Sequence, residues 1–140
     1  MPVRGRSQSP RERLRLTTEI LGTYRRARGL MRRVNLAQAV AELRADPGLA
    51  ATDRSPDEQR YAAMRLGRAV MLILATLPTD RRCLVRSLTL IALLARRGIP
   101  ARLVLGVRPD SSERLGAHAW VEYEGVAVTP DEDYNRLHAL

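Results

Sequence analysis

Residues 79–98, TDRRCLVRSLTLIALLARRG, contain the pattern that does most to define the fold. Thr79 or Asp80 can cap a helix that extends almost to Gly98, and a glycine is typical of the position just after a helix. With Asp80 as the cap, Cys83 is the third helical residue. Most later positions are apolar, so the stretch predicts a buried helix with a cysteine in its first turn.

The spacing of apolar residues changes after this helix from a period of 3.6 to a period of 2. Residues 102–107 and 117–123 alternate as strands do, Glu124-Gly125 is a two-residue turn, and residues 126–128 begin a third strand. Helices followed by an antiparallel sheet predict the α+β class.

Two helices are predicted at the start of the chain. The first extends from Pro10 to about Arg28, where Gly29 interrupts it. The second is short, is capped by Asn35, and ends near Arg44.

A third helix is predicted from residue 56 to about residue 76. The sequence SPDE at 55–58 is a capping box with proline at the first helical position. We expect Tyr61, Met64 and Leu66 to form the apolar face of its first half.

The composition excludes several classes of protein. The chain has 140 residues, a net charge of +9, no lysine, one cysteine and two histidines. These counts exclude a lysine Schiff base, a multi-cysteine metal site and a site of three histidines. The longest apolar run, 69–75, is far short of a membrane span of roughly 20 residues, and the basic N-terminus is unlike a secretory signal. We expect a cytoplasmic protein without metal or cofactor.

Cys83 has two interpretations. A cysteine beside a long apolar run is commonly a small buried hydrophobic residue. The N–H groups of a helix start, together with Arg81, Arg82 and Arg86, stabilise instead the thiolate, which is the nucleophilic form. An apolar environment disfavours that charge, and the sequence leaves both interpretations open.

The turn predicts which residue faces His118. A two-residue turn places Asp131 opposite His118, and a three-residue turn places Glu132 there. Such a carboxylate accepts a hydrogen bond from one imidazole nitrogen and leaves the other for Cys83. Two other interpretations stay open. In them, residues 131–133 are a solvated acidic turn and His118 is a structural histidine. Trp120 is on the same strand face as His118. It either helps to exclude water from the reacting pair or is an ordinary core residue.

The order Cys, His, Asp on helices followed by a sheet is similar to the transglutaminase-like, papain-related superfamily. Four segments resemble more narrowly the lasso peptide leader peptidases, the protease half of the split B protein. The segments are CLVRSL from Cys83, LLARRGIPA from Leu93, LGVRP from Leu105 and AHAWVE from Ala117. The resemblance is specific over residues 78–131 and looser over 10–77.

The resemblance implies a cysteine peptidase that removes the leader from a ribosomally made lasso precursor through a thioester. Cys83 would be the nucleophile, His118 the general base and acid, and Asp131 the residue that orients the imidazole. Trp120 and Arg86 would bind substrate. The backbone N–H of Cys83 would stabilise the oxyanion.

The resemblance also implies partners and a division of the chain. The partners are the precursor peptide, a separate small leader-binding protein and an ATP-dependent cyclase. ATP dependence of maturation is implied, although the chain has no phosphate-binding glycine loop. The division is a disordered basic tail at 1–10, a helical subregion at 11–77 and a catalytic core at 78–140, with 11–140 forming one domain.

Other functions remain open. A transglutaminase or deamidase that acts on glutamine would use the same three residues, and a non-catalytic peptide-binding module would tolerate loss of Cys83. A dense basic stretch has three interpretations: a solvated surface, a docking face for an acidic leader or partner, or a non-specific nucleic-acid-binding surface. We expect no specific nucleic-acid partner. The stretch consists of Arg25, Arg26, Arg28, Arg32 and Arg33.

Overall fold

The structure is a computed structural model that describes residues 7–45, 54–75, 82–107, 117–128 and 135–140. Within these ranges four helices precede a four-stranded antiparallel sheet with the strand order β3-β2-β1-β4. The predicted α+β class is confirmed. The elements are α1 (Pro10–Arg33), α2 (Leu36–Arg44), α3 (Pro56–Leu74), α4 (Arg82–Arg96), β1 (Arg102–Val107), β2 (Ala117–Tyr123), β3 (Val126–Ala127) and β4 (Asn135–Ala139).

The first three helices begin where their capping residues predict. Ser9 and Glu12 form a reciprocal capping box at the start of α1, and Asn35 and Gln38 form another at α2. Ser55 caps α3 with its side chain, and a proline occupies the first helical position. Each cap satisfies N–H groups that have no partner inside the helix.

The prediction that Gly29 ends the first helix is wrong. α1 continues through Gly29 to Arg33, and the N–H of Val34 closes its last turn on the carbonyl of Leu30 at 2.9 Å. A glycine inside a helix costs about 1 kcal/mol relative to alanine. Burial of Ile20, Tyr24 and neighbouring side chains on the same helix outweighs that cost.

The predicted apolar face of α3 is only partly correct. Leu66 is buried, but Tyr61 and Met64 are 51% and 44% exposed. The buried stripe lies on a different side of the helix, and its members are Ala63, Leu66, Gly67, Val70 and Leu74. The exposed residues therefore form a second, separate apolar surface.

Helix α4 is the centre of the core. It contacts α1, α2, α3, β1 and β2, and Leu88, Leu90 and Leu93 on it are fully buried. Gly98 has the left-handed φ of 68° predicted after the helix, and the N–H of Ile99 bonds the carbonyl of Leu94 at 3.0 Å. This pattern is a Schellman motif, which directs the chain out of α4 into β1.

Strand β4 is absent from the sequence-based prediction. It pairs antiparallel with β1 at the edge of the sheet. Arg44 of α2 secures this corner by donating to the carbonyls of Ala101 and Leu140 at 2.7 and 2.9 Å. Burial, followed by the charge of Arg102, lowers the pKa of Arg44 below its usual value. The contact joins α2 to the end of the sheet where β1 begins and β4 ends.

Candidate active site

Cys83 is the second residue of α4, so its predicted place in the first turn is confirmed. The side chain is half-buried and packs against the core while remaining a free cysteine. The first N–H groups of a helix have no intrahelical partner and carry partial positive charge. The predicted caps Thr79 and Asp80, together with Arg81, lie outside the described residues.

Ser87 connects the Cys83 helix to strand β2. Its hydroxyl lies 2.6 Å from the carbonyl oxygen of Cys83, one turn earlier, and 3.2 Å from the carbonyl oxygen of Ala119. Ala119 is the residue after His118. One hydroxyl therefore contacts the backbone of the cysteine and the backbone beside the histidine.

The contact with Ala119 lies on the side of β2 that faces β3. The carbonyl of Val121, two residues along β2, accepts the N–H of Val128 at 2.8 Å, and residues two apart in a strand direct their carbonyls to the same side. In that register position 130 would stand opposite Ala119, and a proline has no N–H to donate. The Ser87 hydroxyl has a single proton, which the carbonyls of Cys83 and Ala119 would share, and the contact with Cys83 is the shorter one.

His118 lies on β2 opposite Gly106 of β1. Its ring stacks on Trp120, with ring centroids 6.0 Å apart and planes inclined by 22°. Trp120 is 4% exposed and its indole N–H donates to Glu122 at 3.1 Å. The indole is thus fixed at one end by a carboxylate and covers one side of the imidazole.

The two faces of β2 have different neighbours. Ala119, Val121 and Tyr123 join the core cluster formed with the helices. His118 and Trp120 belong to the opposite face, because side chains alternate along a strand. Helix α4 contacts β2, and its Ser87 hydroxyl lies within hydrogen-bond distance of the Ala119 carbonyl, next to His118.

The hairpin after β2 has the predicted two-residue turn. Glu124 and Gly125 have φ values of 49° and 79°, as both central residues of a type I′ turn require. The register is that of the prediction in which Asp131 faces His118, and the three-residue turn that would favour Glu132 is not formed. Residues 131 and 132 lie outside the described residues, so the role of Asp131 stays a prediction.

Helix α3 also contacts the hairpin formed by β2 and β3. The phenol of Tyr123 donates to the side chain of Gln59 at 2.7 Å. Burial and the adjacent Glu124 carboxylate raise the pKa of Tyr123 above its usual value. Gly67 lies against Val128, just after β3. These contacts fix the position of the strand that carries His118.

Two residues of this arrangement were not assigned a role from sequence alone. Ser87 follows Cys83 by four positions, which is one helical turn, and Glu122 follows His118 by four, which is the same face of a strand. Both spacings are visible in the sequence once the elements are known. Arg86 is half-buried on α4, three residues after Cys83.

The described part of the chain contains no group of three His, Cys, Asp or Glu side chains that could hold a metal ion. None of its helices combines the length and the hydropathy needed to span a membrane.

The family comparison extends over most of the chain. The family model of the transglutaminase-like superfamily matches residues 21–140, which include α2 to α4, all four strands, Cys83 and His118. No curated protein and no solved structure matches the chain. The superfamily includes cysteine peptidases. The chain therefore belongs to the transglutaminase-like superfamily.

Proposed function

We propose that this chain is a cysteine peptidase that removes the leader peptide from a ribosomally made lasso peptide precursor. The observation that carries the proposal is the Ser87 hydroxyl, which contacts the backbone of both Cys83 and Ala119 and so holds the cysteine helix beside the histidine strand. Membership of the superfamily supports the peptidase chemistry. The four segments that resemble the leader peptidases support the substrate class.

In the first half of the reaction, the Cys83 sulfur attacks the carbonyl carbon at the leader–core junction. His118 accepts the thiol proton and delivers it to the departing amine, which becomes the N-terminus of the core peptide. The C–N bond breaks and a thioester between the leader and Cys83 remains. The N–H of Cys83, at the start of α4, donates to the oxyanion.

In the second half, water attacks the thioester with His118 as general base, and the leader leaves with a carboxylate. Asp131 would orient the imidazole during both steps. Trp120, stacked on His118, excludes bulk water from one side of the ring. Trp120 and Arg86 would contact the substrate. The reaction needs neither metal nor cofactor, and it would take place in the cytoplasm, where a lone thiol stays reduced.

The proposed partners follow from the reaction. The precursor would be presented by a separate small leader-binding protein. The freed core amine would then be used by an ATP-dependent cyclase, which accounts for an ATP requirement of maturation outside this chain.

Mass spectrometry of a lasso-type precursor, incubated with and without its leader-binding partner, tests the proposal. Wild type should yield one new core N-terminus, and Cys83→Ala and His118→Ala should yield none while keeping the wild-type circular dichroism. His138→Ala is the matched control, because His138 lies on β4 and is outside the proposed mechanism. Cleavage by Cys83→Ala at the wild-type rate would refute the mechanism.

Two further readouts distinguish the competing functions. Release of ammonia from a glutamine-containing peptide, without a new N-terminus, would indicate a transglutaminase or deamidase instead. A Cys83 that resists a small electrophile at neutral pH, in a chain without cleavage, would indicate a binding module. Asp131→Asn should abolish most cleavage and Glu132→Gln should not; the reverse would reassign the orienting residue.

A further inference from the structure

The exposed side of α3 carries a second stripe of apolar and basic residues. Three large apolar side chains on it are strongly exposed: Tyr61 by 51%, Met64 by 44% and Leu72 by 68%. Arg65 and Arg68 complete the stripe. The spacing of three or four residues places all five on one side of the helix. Single exposed apolar residues are ordinary, but an aligned set on one face is typical of a binding surface.

This stripe lines a surface groove between α3 and the start of α1. The groove encloses about 510 Å³, and Leu16 of α1 contributes to its lining. A second concavity adjoins it and shares Gln8, Leu16, Arg65 and Arg97. Neither the groove nor the adjoining concavity shares a residue with the candidate active site.

The groove itself is lined by positive charge, and one of its arginines, Arg97, pairs with Glu19 in the adjoining concavity. Four arginines line the groove, and the described lining residues include no carboxylate. Arg65 stacks its guanidinium over the Tyr61 ring at 5.8 Å, and neither Arg65 nor Arg68 has a carboxylate within ion-pair distance among the residues the structure describes. The Nη1 atom of Arg54 is buried without a hydrogen-bond partner there. The arginines are Arg54, Arg65, Arg68 and Arg97.

We infer that the groove between α1 and α3 binds an acidic, amphipathic helical segment of a partner polypeptide. Its carboxylates would pair with Arg65 and Arg68, and its apolar side chains would pack on Tyr61, Met64 and Leu72. In helix-in-groove recognition an amphipathic helix lays its apolar face into an apolar groove, and the exposed side chains of α3 offer such a lining. A second copy of this chain fits poorly, because its net charge of +9 would oppose the approach.

The test uses a fluorescent helical peptide of about 18 residues, roughly 27 Å long, with leucines on one face and glutamates on the other. Its binding to the full chain is measured by fluorescence anisotropy at ionic strengths from about 0.05 to 0.5 M. The first control peptide has the same composition in scrambled order. The second carries lysine in place of each glutamate.

We expect the acidic amphipathic peptide to bind and both control peptides to bind at least tenfold more weakly. The double variant Arg65→Glu, Arg68→Glu should weaken binding by roughly tenfold or more and reduce its salt dependence. Tyr61→Ala with Leu72→Ala should weaken binding by a similar factor and leave the salt dependence unchanged.

The matched control variant is Arg25→Glu with Arg28→Glu, which makes the same charge change at two exposed positions of α1 outside the groove. Equal weakening by this control, equal binding of the scrambled peptide, or no binding at all would overturn the inference. Self-association that Tyr61→Ala with Leu72→Ala abolishes would reassign the groove to a second copy. Binding is measured without cleavage and in Cys83→Ala, so its outcome is independent of the proposed peptidase activity.

Discussion

Replacement of Gly67 by alanine tests how closely α3 packs on the hairpin that follows the His118 strand. A Cβ atom at Gly67 would lie 2.8 Å from the backbone oxygen of Val128 and 3.0 Å from its Cγ1. The first distance is too short for a carbon and an oxygen that are not bonded. The N–H of Val128 is also tied to Val121 at 2.8 Å. The hairpin therefore cannot yield at Val128 without losing its register.

The magnitude follows from two opposing effects. Glycine to alanine in a helix interior stabilises a protein by about 0.5–1 kcal/mol. Overpacking a filled site costs about 1–3 kcal/mol. We expect Gly67→Ala to lower the free energy of unfolding by roughly 0.5–2 kcal/mol. Gly22 and Gly29, on α1, have nothing within 4 Å of an added Cβ, so alanine there should raise it by about 0.5–1 kcal/mol.

Urea unfolding of the three variants and the wild type provides the assay. Far-ultraviolet circular dichroism reports the helices. The fluorescence of Trp120, the only tryptophan, reports strand β2. If the unfolding free energy depends on urea concentration with the same slope in all four proteins, their midpoints can be compared directly. If Gly67→Ala stabilised the protein as much as Gly22→Ala and Gly29→Ala, the close packing of α3 on the hairpin would be refuted.

Two other predictions concern single side chains. Ser87→Ala should cost about 1–2 kcal/mol of unfolding free energy. It should also lower kcat more than it raises KM, because it removes the hydroxyl that contacts the carbonyls of Cys83 and Ala119. Ser87→Thr should restore much of kcat, and a change in KM alone would contradict this prediction. Burial alone would raise the pKa of Glu19, but its two hydrogen bonds to Arg97, at 2.9 and 3.1 Å, and the charge of that arginine lower it overall. The stabilisation is complete above the unfolded-state pKa and is lost as pH falls through the lower folded-state pKa, so Glu19→Gln should cost about 1–2 kcal/mol near neutral pH and little in strong acid. Urea unfolding at several pH values provides the measurement. If the difference in unfolding free energy between wild type and Glu19→Gln did not change with pH, the prediction would be wrong.

The elements predicted correctly depend on local chemistry. The helix starts at Asn35 and Ser55 follow from side chains that cap their own helix, and the Glu124-Gly125 turn follows from its glycine, which adopts positive φ without steric cost. The place of Cys83 in the first turn of α4 is also as predicted, although the predicted caps Thr79 and Asp80 lie outside the described residues. These features need no knowledge of the rest of the fold.

The errors concern interactions between distant residues. β4, with the sequence NRLHA, contains no β-branched or aromatic residue, and it is a strand because β1 offers it an edge. α1 passes Gly29 because its buried face packs on α4. Tyr61 and Met64 are as apolar as Leu66, so only the position of the neighbouring helices reveals which of them is buried.

The site divides in the same way. The order of Cys83 and His118 and the register of the hairpin are predictable from spacing. The contact of Ser87 with Ala119 is not, because it requires knowing that α4 packs against β2. The same limit applies to the groove residues of α3, which look like an ordinary apolar face until the helix is packed.

The Ser87 contact also has a consequence for self-association. An open strand edge presents carbonyls to any other extended chain and can start edge-to-edge aggregation. At Ala119 the carbonyl already lies within hydrogen-bond distance of the Ser87 hydroxyl of α4, so an incoming strand would compete with that contact. β-augmentation is thereby disfavoured at this carbonyl, next to His118.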